Sequence, residues 1–240
     1  MIFKFLMAFL TLGFITKILG EVVHEVMGHG LLVLAFGGEI TSIRISLLWP
    51  YELSHIGFAP PPGGFLPWQR ALVDGGGILM CLVISFVLQI ILLLSFSKRG
   101  NWVASSALFW LAFWTFISPA GYLVVGGIAP FGDVANLIAQ GVMTQEIAFI
   151  LGVSIFVVNL FTLSIILGNV LRKAGINQDA RWSIVLFWLI VPLLTLVNVA
   201  GQGQPLHIAL LGFIPVLTAW AALLLHNVIL SHTKGRETRG

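Results

Sequence analysis

His24-Glu25-Val26-Met27-Gly28-His29 sets two imidazoles and a carboxylate inside an almost uncharged apolar stretch near the start of the chain. Ionisable side chains are costly in hydrocarbon, so a cluster of them in such a stretch marks a functional site by default. Histidine is the commonest zinc-ligating side chain, and a neighbouring glutamate can act as a general base toward metal-activated water. These residue types therefore point to metal-assisted hydrolysis. The plainer reading is two histidines satisfied separately by hydrogen bonds between helices.

The spacing adds a geometric demand. At about 100° per residue, side chains at i and i+4 lie within roughly 40° of each other, whereas i and i+5 diverge by about 140°. A regular α-helix would not aim His24 and His29 at one ion. A single π-turn absorbs the extra residue, and Gly28 lowers the cost of the distortion. Residues 24–29 are thus predicted to be helical with a local i→i+5 turn. The hexad resembles the HExxGH form of the zinc motif in the dipeptidyl-peptidase III family, a likeness of six residues that implies no shared fold.

The elements that must position these groups are apolar helices. Of 240 residues, 58% are hydrophobic and 9% charged, against about 25% charged in soluble domains. The composition implies an all-α integral membrane protein, a polytopic bundle of about six transmembrane helices in one domain spanning 1–240. Runs of spanning length fall near 3–36, 77–97, 102–127, 147–171, 183–200 and 206–230. The first is either one long tilted helix or two pieces broken at Gly20. It continues into the histidine motif and lacks a small-x-small cleavage site, so it reads as retained rather than as a cleaved signal. Gly37-Gly38 should end it, and residues 39–76 read as a polar loop in which Ile43–Leu47 alternates like a strand. The lone Cys81 excludes an internal disulfide, and the scattered cations give no sign of nucleic-acid binding. Lys98, Arg99, Arg172, Lys173, Arg181, Lys234, Arg236 and Arg239 fall on one side of the membrane, Arg44 and Arg70 on the other. The positive-inside rule then places the carboxyl terminus in the cytosol and the 39–76 loop outside.

Among the three aspartates, Asp133 is the candidate third ligand, and it equally suits the N-cap of a helix over Val134–Gln140. Glu21, one turn before Glu25, could orient a ligand ring from behind; Asn136, one turn after Asp133, could bond a ligand, a substrate or another helix. His55 and Asp74, in the polar loop, are weaker ligand candidates, and His207, His226 and His232 read as interfacial.

The order of these features resembles the site-2 protease family of intramembrane zinc metallopeptidases. The likeness rests on the histidine motif, on Gly37-Gly38-Glu39-Ile40 opening a short β region after the first core helix, and on Gly75-Gly76-Gly77, which stands where that family often has an Ala-Gly-Pro turn. Ala129-Pro130-Phe131-Gly132-Asp133 resembles the family's aspartate element. The resemblance covers residues 15–140 and leaves 147–230 as additional helices. It implies Zn2+ held by His24, His29 and Asp133, Glu25 as catalytic base, and a membrane-protein or peptide substrate cleaved within the bilayer. It also implies a β region near the cytosolic face, opposite to the charge bias, so the orientation of the site stays open. The alternatives are a metal or proton transporter and a non-catalytic relative that binds membrane proteins.

Overall fold

The computed structural model describes residues 2–47, 54–95 and 101–176. Its first helical stretch is continuous: α1 (Ile2–Val22), a π-helical segment (Val23–Gly30) and α2 (Leu31–Ala35). Gly20 does not break it. That glycine instead admits a neighbour, because a Cβ there would stand 3.1 Å from Cβ of Trp114. At the far end Gly37 adopts φ +78°. The Gly38 amide donates to Val33 O at 2.9 Å and the Gly37 amide to Leu34 O at 3.1 Å, the paired bonds of a Schellman C-cap.

β1 (Glu39–Arg44) follows at once and pairs antiparallel with β2 (His55–Ala59), with Ile43 opposite Ile56 and an irregularity between Ile40 and Ser42. The strand expected at Ile43–Leu47 therefore lies earlier and ends at Arg44. Beyond it the chain is drawn onto α1, where the buried Lys17 ammonium donates to Ser46 O at 2.8 Å. Ile40 and Ile56 reach the π-helical segment, each within 3.4 Å of where a Gly30 Cβ would be.

α3 (Pro67–Leu94) begins well before residue 77, so Asp74 and Gly75-Gly76-Gly77 are helical rather than part of a loop or turn. Pro67 occupies the first helical position, where its missing N–H costs nothing, and the Gln69 side chain accepts from the Leu66 amide at 2.9 Å. The sequence misleads here because Arg70 and Asp74 look solvated; they are one turn apart and pair at 2.7 Å.

α4 (Trp102–Gly126) is capped by Asn101, whose side chain accepts from the Val103 amide at 2.9 Å. The Trp114 indole donates to Gly13 O at 2.8 Å, tying α4 to α1, and the Ser85 hydroxyl donates to Ala112 O at 2.7 Å, tying it to α3. A short α5 (Gly132–Ala139) and a long α6 (Gln145–Lys173) follow. Ile78, Leu123, Val134 and Ala148 form a buried apolar cluster joining α3, α4, α5 and the start of α6. The chain divides into two compact units, Met1–Phe156 and Val157–Gly240, and every site element lies in the first. In the second, α6 ends in a turn at Gly175, φ +79°.

Among the described residues four helices are long and apolar enough to cross a membrane: Phe3–Ala35, Pro67–Leu94, Trp102–Gly126 and Gln145–Lys173. The runs expected at 183–200 and 206–230, with most of the cations that set the predicted orientation, lie outside the described residues.

The tightest helix contact is backbone on backbone. A Cβ on Gly28 would stand 2.5 Å from Cα of Gly77, and one on Gly76 would stand 2.5 Å from O of Gly28. Neither obstacle is a flexible side chain that could swing aside. Gly28→Ala should therefore lower stability by about 1–3 kcal/mol, read as a lower midpoint of thermal unfolding in detergent; an unchanged midpoint contradicts this contact.

Candidate metal centre

The π-helical segment is where the histidine spacing demands it. The Leu31 amide donates to Val26 O, five residues back, and the widened turn brings the two rings together. Nε2 of His24 and Nε2 of His29 are 3.3 Å apart. Asp133 reaches both from 109 residues away: its Oδ2 lies 3.1 Å from Nε2 of His24 and 3.4 Å from Nε2 of His29. Zinc bonds of about 2.0–2.1 Å in a tetrahedron place ligand atoms about 3.3 Å apart. The two nitrogens and the oxygen are thus spaced as three ligands of one such ion would be. Both histidines are 6% exposed and the Asp133 side chain 17%.

The surroundings fix the orientation of both rings. Nδ1 of His29 lies 2.6 Å from Val73 O. A carbonyl can only accept, so Nδ1 carries a proton, and Nε2 is the ring atom turned toward His24 and Asp133. The His24 ring stacks on Tyr122, centroids 5.7 Å apart at 25°. On the α3 side Gly77 makes the space: a Cβ there would meet Nε2 of His24 at 2.5 Å and Nε2 of His29 at 2.6 Å. The two ring nitrogens therefore face a space that one methyl group would fill.

Asp133 sits in the first turn of α5, whose N-cap position is Phe131. Its carboxylate is turned to the histidines instead of capping the helix. Gly132 before it has φ +53°, and a Cβ there would strike the Tyr122 ring at 2.6 Å, so glycine suits both backbone and space. Burial alone would raise the Asp133 carboxyl, but hydrogen bonds from His24 and His29 outweigh it and hold it at about 2.

Glu25 is 7% exposed and lies in the electrostatic field of His24, His29 and Asp133. Glu21 does not orient a ligand ring; it pairs with Lys17 at 3.5 Å. Asn136 does not reach the cluster either. Its amide approaches Oδ1 of Asp74 at 3.5 Å, a bond between helices. Asp74 is occupied by Arg70 and Gln140, and His55 is exposed at the start of β2. His207, His226 and His232 lie outside the described residues. Sequence reasoning missed the Val73 carbonyl, the Gly77 cradle and Tyr122. The glycine triplet was the available signal: three glycines opening an apolar run can mark close helix approach as well as a turn.

Comparison with family models, curated proteins and solved structures finds no match to this chain.

A deletion and a substitution test the centre. Deleting Met27 restores i, i+4 spacing and removes the need for a wide turn. The variant should keep stoichiometric zinc, measured by elemental analysis after gel filtration, and loss of zinc would mean the π-turn itself is required. Gly77→Ala should abolish zinc binding, because the methyl group displaces both imidazoles; retained zinc contradicts the cradle.

Proposed function

We propose that the chain is a zinc-dependent intramembrane endopeptidase acting on membrane proteins or peptides. The observation that supports this most is the triangle of three ligand atoms from His24, His29 and Asp133, beside a buried glutamate. Three protein ligands and an open position are typical of catalytic zinc, whereas structural zinc is usually closed by four. Zinc in such a place supplies Lewis-acid activation of water and of the scissile carbonyl.

The chain's own residues supply the rest. His24, His29 and Asp133 hold the ion, and Val73 O fixes the ring orientation of His29. Glu25 takes a proton from the attacking water and delivers it to the departing amine nitrogen, so one carboxylate serves as base and then as acid. A substrate must present extended backbone, because a helix keeps its carbonyls bonded. Among the described residues β1 pairs with β2 alone, next to the π-helical segment that carries the histidines, and its other edge is where such a segment would add.

The test is hydrolysis of transmembrane peptides by zinc-loaded protein in vesicles, with products identified by mass spectrometry. Glu25→Gln should retain zinc and lose cleavage by about 10²–10⁴-fold, while His24→Ala and His29→Ala should lose zinc as well. Full cleavage by Glu25→Gln would overturn the role of the base. Zinc flux across the vesicle without cleavage would favour a transporter.

A further inference from the structure

Asp74 is a buried carboxylate that the proposed chemistry does not use. It lies on α3, one residue after the carbonyl that orients His29, and its side chain is 6% exposed. Its Oδ2 accepts from Arg70 Nε at 2.7 Å and from Gln140 Nε2 at 2.6 Å, and Asn136 Nδ2 approaches its Oδ1 at 3.5 Å. Two of these partners belong to the α5 region, the element that carries Asp133.

The spacing on α5 gives this contact its meaning. At about 100° per residue, positions 133, 136 and 140 fall within roughly 60° of one another, a single stripe along the helix. Asp133 holds one end of that stripe against the histidines. Asn136 and Gln140 hold the other end against Asp74. Val134 and Leu137 are buried, Val134 against Gly126 and Leu137 near Gly75, and they seat α5 on α4 and α3. Apolar contacts of that kind are non-directional and leave rotation of a short helix about its axis weakly opposed. Directional bonds to Asp74 oppose it. A buried ion pair often adds little stability compared with apolar side chains, and its best-attested use is fixing register.

We propose that Asp74 is the positioning residue for the zinc centre: it clamps the rotation of α5 and so keeps the Asp133 carboxylate on the ion. This rests on the zinc reading of the site. One turn of α3 then organises the centre, with Val73 orienting one ligand, Asp74 fixing the helix of another, and Gly77 clearing the space between the rings.

The experiment measures zinc affinity by chelator competition, and the cobalt(II) absorption spectrum, on the full chain in detergent. Wild type, Asp133→Ala, Asp74→Asn and Gln140→Leu are compared. Gln140 is exposed at the end of α5, so its variant leaves the α3 packing intact and carries the test if Asp74→Asn does not fold. Asp74→Asn and Gln140→Leu should each bind zinc about 10- to 100-fold more weakly, with cobalt spectra that depart from the wild type's. Wild-type affinity in both variants overturns the clamp. So does weakened affinity with an unaltered cobalt spectrum, which would mean a loosened fold with Asp133 still on the metal. Absence of zinc from wild type, or undiminished zinc in Asp133→Ala, would instead overturn the zinc centre itself.

Discussion

Two helices can approach until their backbones touch only where neither carries a side chain, and the contact of Gly28 with Gly76 and Gly77 is of that kind. The rest of the site depends on it. It sets the π-helical segment against α3 closely enough for His29 to reach the Val73 carbonyl, and it leaves room at Gly77 for two imidazole edges. Helices in an apolar medium gain little from burying hydrocarbon against one another, so close packing of small residues and specific polar bonds must hold them together. Both kinds of contact meet within one turn of α3.

That arrangement also answers the cost of placing ionisable groups among apolar helices. Three charges have a partner in view: the buried Lys17 has Glu21 and the Ser46 carbonyl, the buried Asp74 has Arg70 and Gln140, and the half-buried Asp133 has the two histidines. Glu25 differs. It is buried in the field of the whole cluster. A carboxylate buried beside a metal-sized triangle is what the proposed role as base requires.

The sequence made the long-range part of this site more legible than the local part. Histidines at i, i+5 in an apolar run require a wide turn if they are to share a ligand, and the π-helical segment supplies it. Asp133 stood out because few acids exist in the chain, and the structure brings it to both rings. Its alternative role as an N-cap was equally open, since aspartate at the start of a helix satisfies either need. Local boundaries fared worse. The strand ends at Arg44 because Lys17 captures the Ser46 carbonyl, a tertiary bond that no alternation of residues reveals. Asp74 passed for a loop residue because its charge is neutralised by a side chain one turn away and by amides from α5, and only the latter depend on the fold.

The central claim is that one ion joins residues 24, 29 and 133. X-ray absorption at the zinc edge of the purified, zinc-loaded protein measures this directly. The account predicts a four-coordinate first shell of nitrogen and oxygen at about 2.0–2.2 Å, with the multiple-scattering signature of two imidazoles. A shell containing sulfur at about 2.3 Å, a single imidazole, or no retained zinc would contradict it.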